Sequence, residues 1–216
     1  MLKRHSFLVG IIIGVLLLVV AARYYPGGSQ EDKNSIGYDW KNNYLCNLFS
    51  EKSINGADNT SRPWAIAGMF FLCAGFALFF IDFSKKISLK GAARVIRYCG
   101  AGAMVFALLV VTPWHDLMVT VAGTLALVSM FYITLFVFKS KLHFFKILSI
   151  LCLLVFYCCN YIYYSGNYLQ FLPIMQKIVF VVITAWMVGL EYFTGKEDFQ
   201  YIKTGRSINK KEITKP

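Results

Sequence analysis

His115 and Asp116 stand side by side in the run Thr112-Pro113-Trp114-His115-Asp116, between two apolar stretches, residues 100–111 and 117–138. Histidine is the side chain whose ordinary pKa lies closest to neutrality, so it can take up and release protons there. With a carboxylate beside it, it could act as a general base with its orienter. The plainer alternative has Asp116 capping the next helix, accepting free backbone N–H groups. Ionisable residues at membrane depth are expensive to place and mark cavities, partners or pathways.

Other polar residues fall on the same side of the same apolar background. Lys177 lies about two helical turns into the run 171–193, counted by helical rise. It either snorkels to the interface or is a cation buried against Asp116 or Asp39. Gln176 precedes it. Arg62 stands before another apolar run, where it could bind a lipid phosphate or anchor the helix. Asp39 and Asn43 belong to the long polar segment between the first two runs. Asp39, Asn43, Arg62, His115, Asp116, Gln176 and Lys177 are therefore the candidate site. Cys46 with His115 would make a thiol nucleophile pair if the fold joined them, which spacing alone does not show. Only one histidine falls on this side, and catalytic zinc draws on several His or Cys ligands. No metal site is expected, nor any cofactor. No serine-hydrolase motif, P-loop or dinucleotide fingerprint is present.

The elements that must hold these residues follow from composition. Hydrophobic residues make up 57% of the chain and charged residues 15%, against about a quarter charged in soluble domains. Apolar runs recur at 6–22, 63–83, 96–111, 117–138, 145–164 and 171–193. Most are near the 20 residues that cross a hydrocarbon core roughly 30 Å thick. They lack the alternation of barrel strands. The expected fold is all-α, a polytopic bundle of six transmembrane helices. Residues 1–193 form the membrane domain, with a longer outer loop at 24–62, and 194–216 form a basic cytoplasmic tail.

Within that loop, Tyr44, Leu45, Leu48 and Phe49 share one helical face, with Asp39 as a candidate N-cap. They predict an amphipathic helix over 39–50, lying on the membrane surface or capping the bundle. Asn59-Thr60-Ser61 matches a glycosylation sequon. The first run could be a signal sequence with a weak cleavage site at Val20-Ala21-Ala22. Its length and the tyrosines at its far end favour an uncleaved helix, and Gly10 and Gly14 offer it a close-packing face. Pro173 interrupts the start of the last run.

The net charge of +11 explains itself through topology. Lys3 and Arg4, the loop 85–94, the loop 139–146 and the tail all fall on one side of a six-span protein. The loops on the other side are poor in Lys and Arg. This places both termini in the cytoplasm and the chain in the plasma (inner) membrane. It leaves no reason to invoke nucleic acid. Membrane lipids are the expected partners, with self-association open. Glu191, near the inner end of the last span, is expected to pair with Arg94 or Arg97. Of the six cysteines, Cys46 could form a disulfide with Cys158 or Cys159 in an oxidising compartment.

Tyr38-Asp39-Trp40 with Asn43, the step Leu45-Cys46-Asn47-Leu48, and Gln176-Lys177 in the last helix resemble features of small bacterial six-helix membrane proteins. These are of unknown function and are related to the Frag/DRAM/Sfk group. Cys46 stands where serine is common in that pattern. The resemblance covers the six spans but not the tail, and it implies a lipid- or membrane-associated role rather than a reaction. The leading expectation is a protein that binds a lipid or small amphiphile in an outward-facing polar cavity. The alternatives are an enzyme acting on a lipid headgroup, with His115 as base, and a small proton-coupled transporter.

Overall fold

The structure is a computed structural model and describes residues 2–200. Six long helices carry the apolar runs: α1 (Leu2–Arg23), α2 (Arg62–Ser84), α3 (Lys90–Leu108), α4 (His115–Lys139), α5 (His143–Ser165) and α6 (Leu172–Phe193). Each is long and apolar enough to cross a membrane. Val9, Leu16, Phe131, Ile147, Leu154 and Val181 are exposed on their outer surfaces. A water-soluble protein avoids such a continuous apolar exterior, whereas a bilayer requires it. The chain is a multi-pass helical membrane protein.

Consecutive helices pack side by side, and α6 returns to touch α2. The start of α1 and the end of α6 therefore lie at one end, where the His5 ring stacks on Tyr192 at 5.9 Å. The opposite end carries the long loop and is called the loop end below. Phe79, Phe80 and Phe83 of α2, Met130 and Ile133 of α4, and Trp186 of α6 form the main core. Buried hydroxyls join helices where the surrounding residues offer no water: Trp186 Nε1 donates to Ser149 Oγ at 2.8 Å, and Ser129 Oγ donates to the Ile96 carbonyl at 3.0 Å. The glycine face of α1 meets glycines of α2. A Cβ added at Gly10 would lie 3.2 Å from the Gly75 Cα, and one at Gly14 would lie 2.8 Å from the Gly68 carbonyl.

The punctuation differs from the sequence expectation in four places. Residues 39–50 are not one amphipathic helix: Asp39 opens a turn, and only Leu45–Leu48 forms a single 3-10 turn. Leu48 and Phe49 point inward onto Ala21, Ala22, Tyr25 and Ala65, so the segment plugs the bundle. Pro173 does not break a span, because it occupies the first turn of α6, where its missing N–H is harmless. His115 and Asp116 do not stand between two helices but are the first residues of α4, and Trp114 is its cap residue, without a side-chain cap bond. At the terminal end, residues 197–200 form the short helix α7 (Glu197–Gln200). Its Phe199 is buried against Phe83, ring centroids 5.4 Å apart. Most of the basic tail, residues 201–216, lies outside the described residues.

Candidate functional site

The loop of residues 24–61 is built on two buried asparagines. Asn43 is wholly buried. Its Nδ2 donates to the Gly28 carbonyl at 2.9 Å, and its Oδ1 accepts the Asp39 N–H at 3.0 Å. Gly28 has φ +84°, and a Cβ there would collide with the Asn55 backbone. Asn59 Nδ2 donates to the carbonyls of Asn47, Leu48 and Ser50 at 3.0, 3.3 and 2.9 Å. This closes the sequon: the Asn59 side-chain nitrogen is engaged and the residue is buried.

The seven candidate residues separate into three groups. Lys177, Asn43 and Asp39 hold the loop on the bundle. Lys177 Nζ donates to the Asn43 carbonyl at 2.7 Å and to the Pro173 carbonyl at 2.9 Å, and stands 5.6 Å from the Tyr38 ring centroid. These bonds go to carbonyls, not to Asp116 or Asp39. Asp39 accepts from the N–H groups of Lys41 and Asn42 and from Asn42 Nδ2, at 2.9, 3.2 and 2.8 Å. Burial alone would raise its pKa; the bonds from Asn42 and Lys41 outweigh that and hold the carboxyl below its ordinary value. Arg62 stands apart, its Nη1 3.2 Å from Glu51 Oε1.

His115, Asp116 and Gln176 converge on a cavity at the loop end, of about 570 Å³. Tyr44, Cys46, Asn47, Ser50, Thr112 and Tyr163 complete its polar lining, with Val110, Val111 and Leu172 in the apolar wall. Asp116 Oδ1 lies 3.0 Å from His115 Nδ1 and accepts the Tyr163 hydroxyl at 2.8 Å. Neighbouring side chains seldom meet, but the start of α4 turns these two together. A carboxylate only accepts, so it holds the imidazole proton on Nδ1 and leaves Nε2 as the basic nitrogen. Nε2 is buried and has no hydrogen-bond partner. Cys46 lines the same mouth, and both it and His115 also line a smaller lobe of about 200 Å³.

Gln176 has a comparable polarity argument. Its Oε1 accepts the Leu45 N–H at 3.3 Å. A backbone N–H can only donate, so the side-chain NH₂ is the end left to donate. Behind the mouth, between the helices, lies an apolar chamber of about 370 Å³ lined by Leu18, Met69, Phe76, Met104, Met130, Phe180 and their neighbours. Cys46 and Gln176 line the mouth, the lobe and the chamber alike. Both larger volumes fall in the roughly 300–1,000 Å³ range of ligand sites.

All six cysteines are free thiols, so no disulfide joins Cys46 to Cys158 or Cys159. Among the described residues, no three His, Cys, Asp or Glu side chains gather as a metal site. Tyr163 belongs to the mouth although it is not among the seven candidate residues. Its hydroxyl bond to Asp116 links positions 47 residues apart, which spacing cannot reveal. No family model matches the chain, and no curated protein and no solved structure does either.

Proposed function

We propose that this plasma-membrane protein, with both termini in the cytoplasm, binds an amphiphile from the outer side. The polar head rests at the mouth formed by His115, Asp116, Tyr163 and Gln176, and the apolar chain enters the chamber behind it. One observation carries this reading: a polar mouth and an apolar chamber share Cys46, Phe49, Val110 and Gln176 as common lining. Water alone would suit the mouth but not a chamber walled by Leu, Met and Phe. The Lys- and Arg-poor loop end supports the orientation, and the likeness to the Frag/DRAM/Sfk group supports a lipid association.

The test uses dansyl-undecanoic acid and purified protein in detergent. Saturable fluorescence enhancement at one site per chain is expected. Val179 lines both the chamber and the smaller lobe, so Val179→Trp fills the space. It should weaken binding at least ~10-fold, a difference of about 1.4 kcal/mol, with an unchanged melting temperature. Equal binding by this variant, or none by the natural chain, removes the reading.

A further inference from the structure

We infer that Cys46, His115 and Asp116 form a nucleophile, base and orienter that cleave an acyl ester through an acyl-thioester on Cys46. The inference rests on the amphiphile reading, because the chamber is what would hold the acyl chain.

The elements converge from three parts of the chain. Cys46 comes from the 3-10 turn Leu45–Leu48, His115 and Asp116 from the start of α4, and Gln176 from α6. Cys46 is not packed away as a small hydrophobe. It is partly exposed, shares the mouth and the lobe with His115 and stands where mouth, lobe and chamber meet. Cys159 also lines the lobe, but unlike Cys46 it does not line the mouth. The imidazole is prepared for proton transfer: its Nδ1–H is held by a carboxylate that Tyr163 also donates to, and its Nε2 has no partner. A thiol beside a base oriented by a third group is the arrangement of an activated nucleophile. The NH₂ of Gln176 supplies a donor for charge developing on the carbonyl oxygen.

The step balances with water as the only co-reactant. His115 Nε2 takes the Cys46 thiol proton, and the thiolate sulfur attacks the ester carbonyl carbon. The tetrahedral oxyanion collapses, the acyl C–O bond breaks, and the imidazolium gives its proton to the leaving alcohol. Water entering through the mouth, deprotonated by His115, attacks the thioester. The C–S bond breaks, the free acid leaves and the thiol is restored. Asp116 and Tyr163 act as positioning residues.

The probe is p-nitrophenyl octanoate with full-length protein in detergent. The expected result is p-nitrophenolate release with one octanoyl group on the peptide containing Cys46, removable by neutral hydroxylamine. Cys46→Ala should abolish the adduct. His115→Gln should slow its formation at least ~100-fold with an unchanged melting temperature, which separates catalysis from folding. Asp116→Asn should lower the rate at least ~10-fold and shift its pH profile, since the wrong tautomer is then allowed. Binding of dansyl-undecanoate without a Cys46 adduct, or an adduct formed as fast in His115→Gln, overturns the catalysis and leaves amphiphile binding standing. Failure of the natural chain to bind dansyl-undecanoate overturns both.

Discussion

Asn43 gathers its bonds from separate parts of the chain, and none of them points toward a ligand. Its side chain ties Gly28 to Asp39, and its carbonyl accepts from both Tyr38 and Lys177. Burial, with nearby Cys46, Tyr25 and Asp39 adding, pushes the Tyr38 phenol well above its ordinary pKa, so it stays a donor. Asn43→Ala leaves the Gly28 carbonyl and the Asp39 N–H without their partner. It should destabilise the protein by about 2–3 kcal/mol, read as a lower melting temperature. The neighbouring carboxylate adds a pH dependence. Asp39 is held below its unfolded pKa, so its contribution is present above about pH 4 and is lost as pH falls through the lower folded value. Asp39→Asn should remove that part of the acid sensitivity. Asp39 and Asn43 were legible in the sequence as important polar residues, but not as loop scaffold. Their partners are mostly backbone groups, whose positions no residue type announces. The reverse holds for Cys46: its type permits chemistry, and only the fold brings it into one cavity with His115.

At the scale of elements, α6 puts two adjacent residues to different uses. Successive helical residues diverge by about 100°, so Gln176 lines the cavity while Lys177 reaches the loop. At its other end, α6 is held by Lys86. The ammonium donates to Glu191 Oε2 at 3.0 Å and to the carbonyls of Leu190 and Glu191 at 3.1 and 3.0 Å. The sequence had pointed to Arg94 or Arg97 as the partner of Glu191. Those residues lie on α3, whereas Lys86 leaves α2 in a tight turn and folds back onto α6. Both side chains are nearly covered, at 12% and 9% exposure. Removing one strands the other, so Lys86→Met should cost on the order of 3 kcal/mol. Pairing it with Glu191→Leu should recover most of that loss. A double-mutant cycle in thermal melts measures the coupling.

At the scale of the molecule, the architecture was the most legible level. Length and apolarity of the runs foretold six crossing helices, and the glycine face of α1 foretold its close packing on α2. What composition could not show is that the long loop has its own small core, or that residues 39–50 enter the bundle instead of lying on a surface. Alternation of apolar residues is the same for a helix on a membrane and for a turn packed into one. The orientation proposed above makes a separate prediction. A green fluorescent protein fused after Pro216 should fluoresce in cells, and alkaline phosphatase fused there should be inactive. The opposite pattern would put the mouth on the cytoplasmic side.

The chamber has one property that its shape does not convey. Met69, Met104, Met130 and Met187 all contribute to its wall. Thioether side chains are unbranched and polarizable, so they re-pack around guests of differing outline at little strain. A wall of valine or isoleucine would select one chain geometry; on the amphiphile reading proposed above, this one would accommodate straight, kinked or branched tails. The same softness makes it vulnerable to oxidants, because each sulfoxide formed would plant a strong dipole where an apolar tail must lie. Occupancy of the chamber by the proposed amphiphile would then fall on oxidation and return when the sulfoxides are reduced.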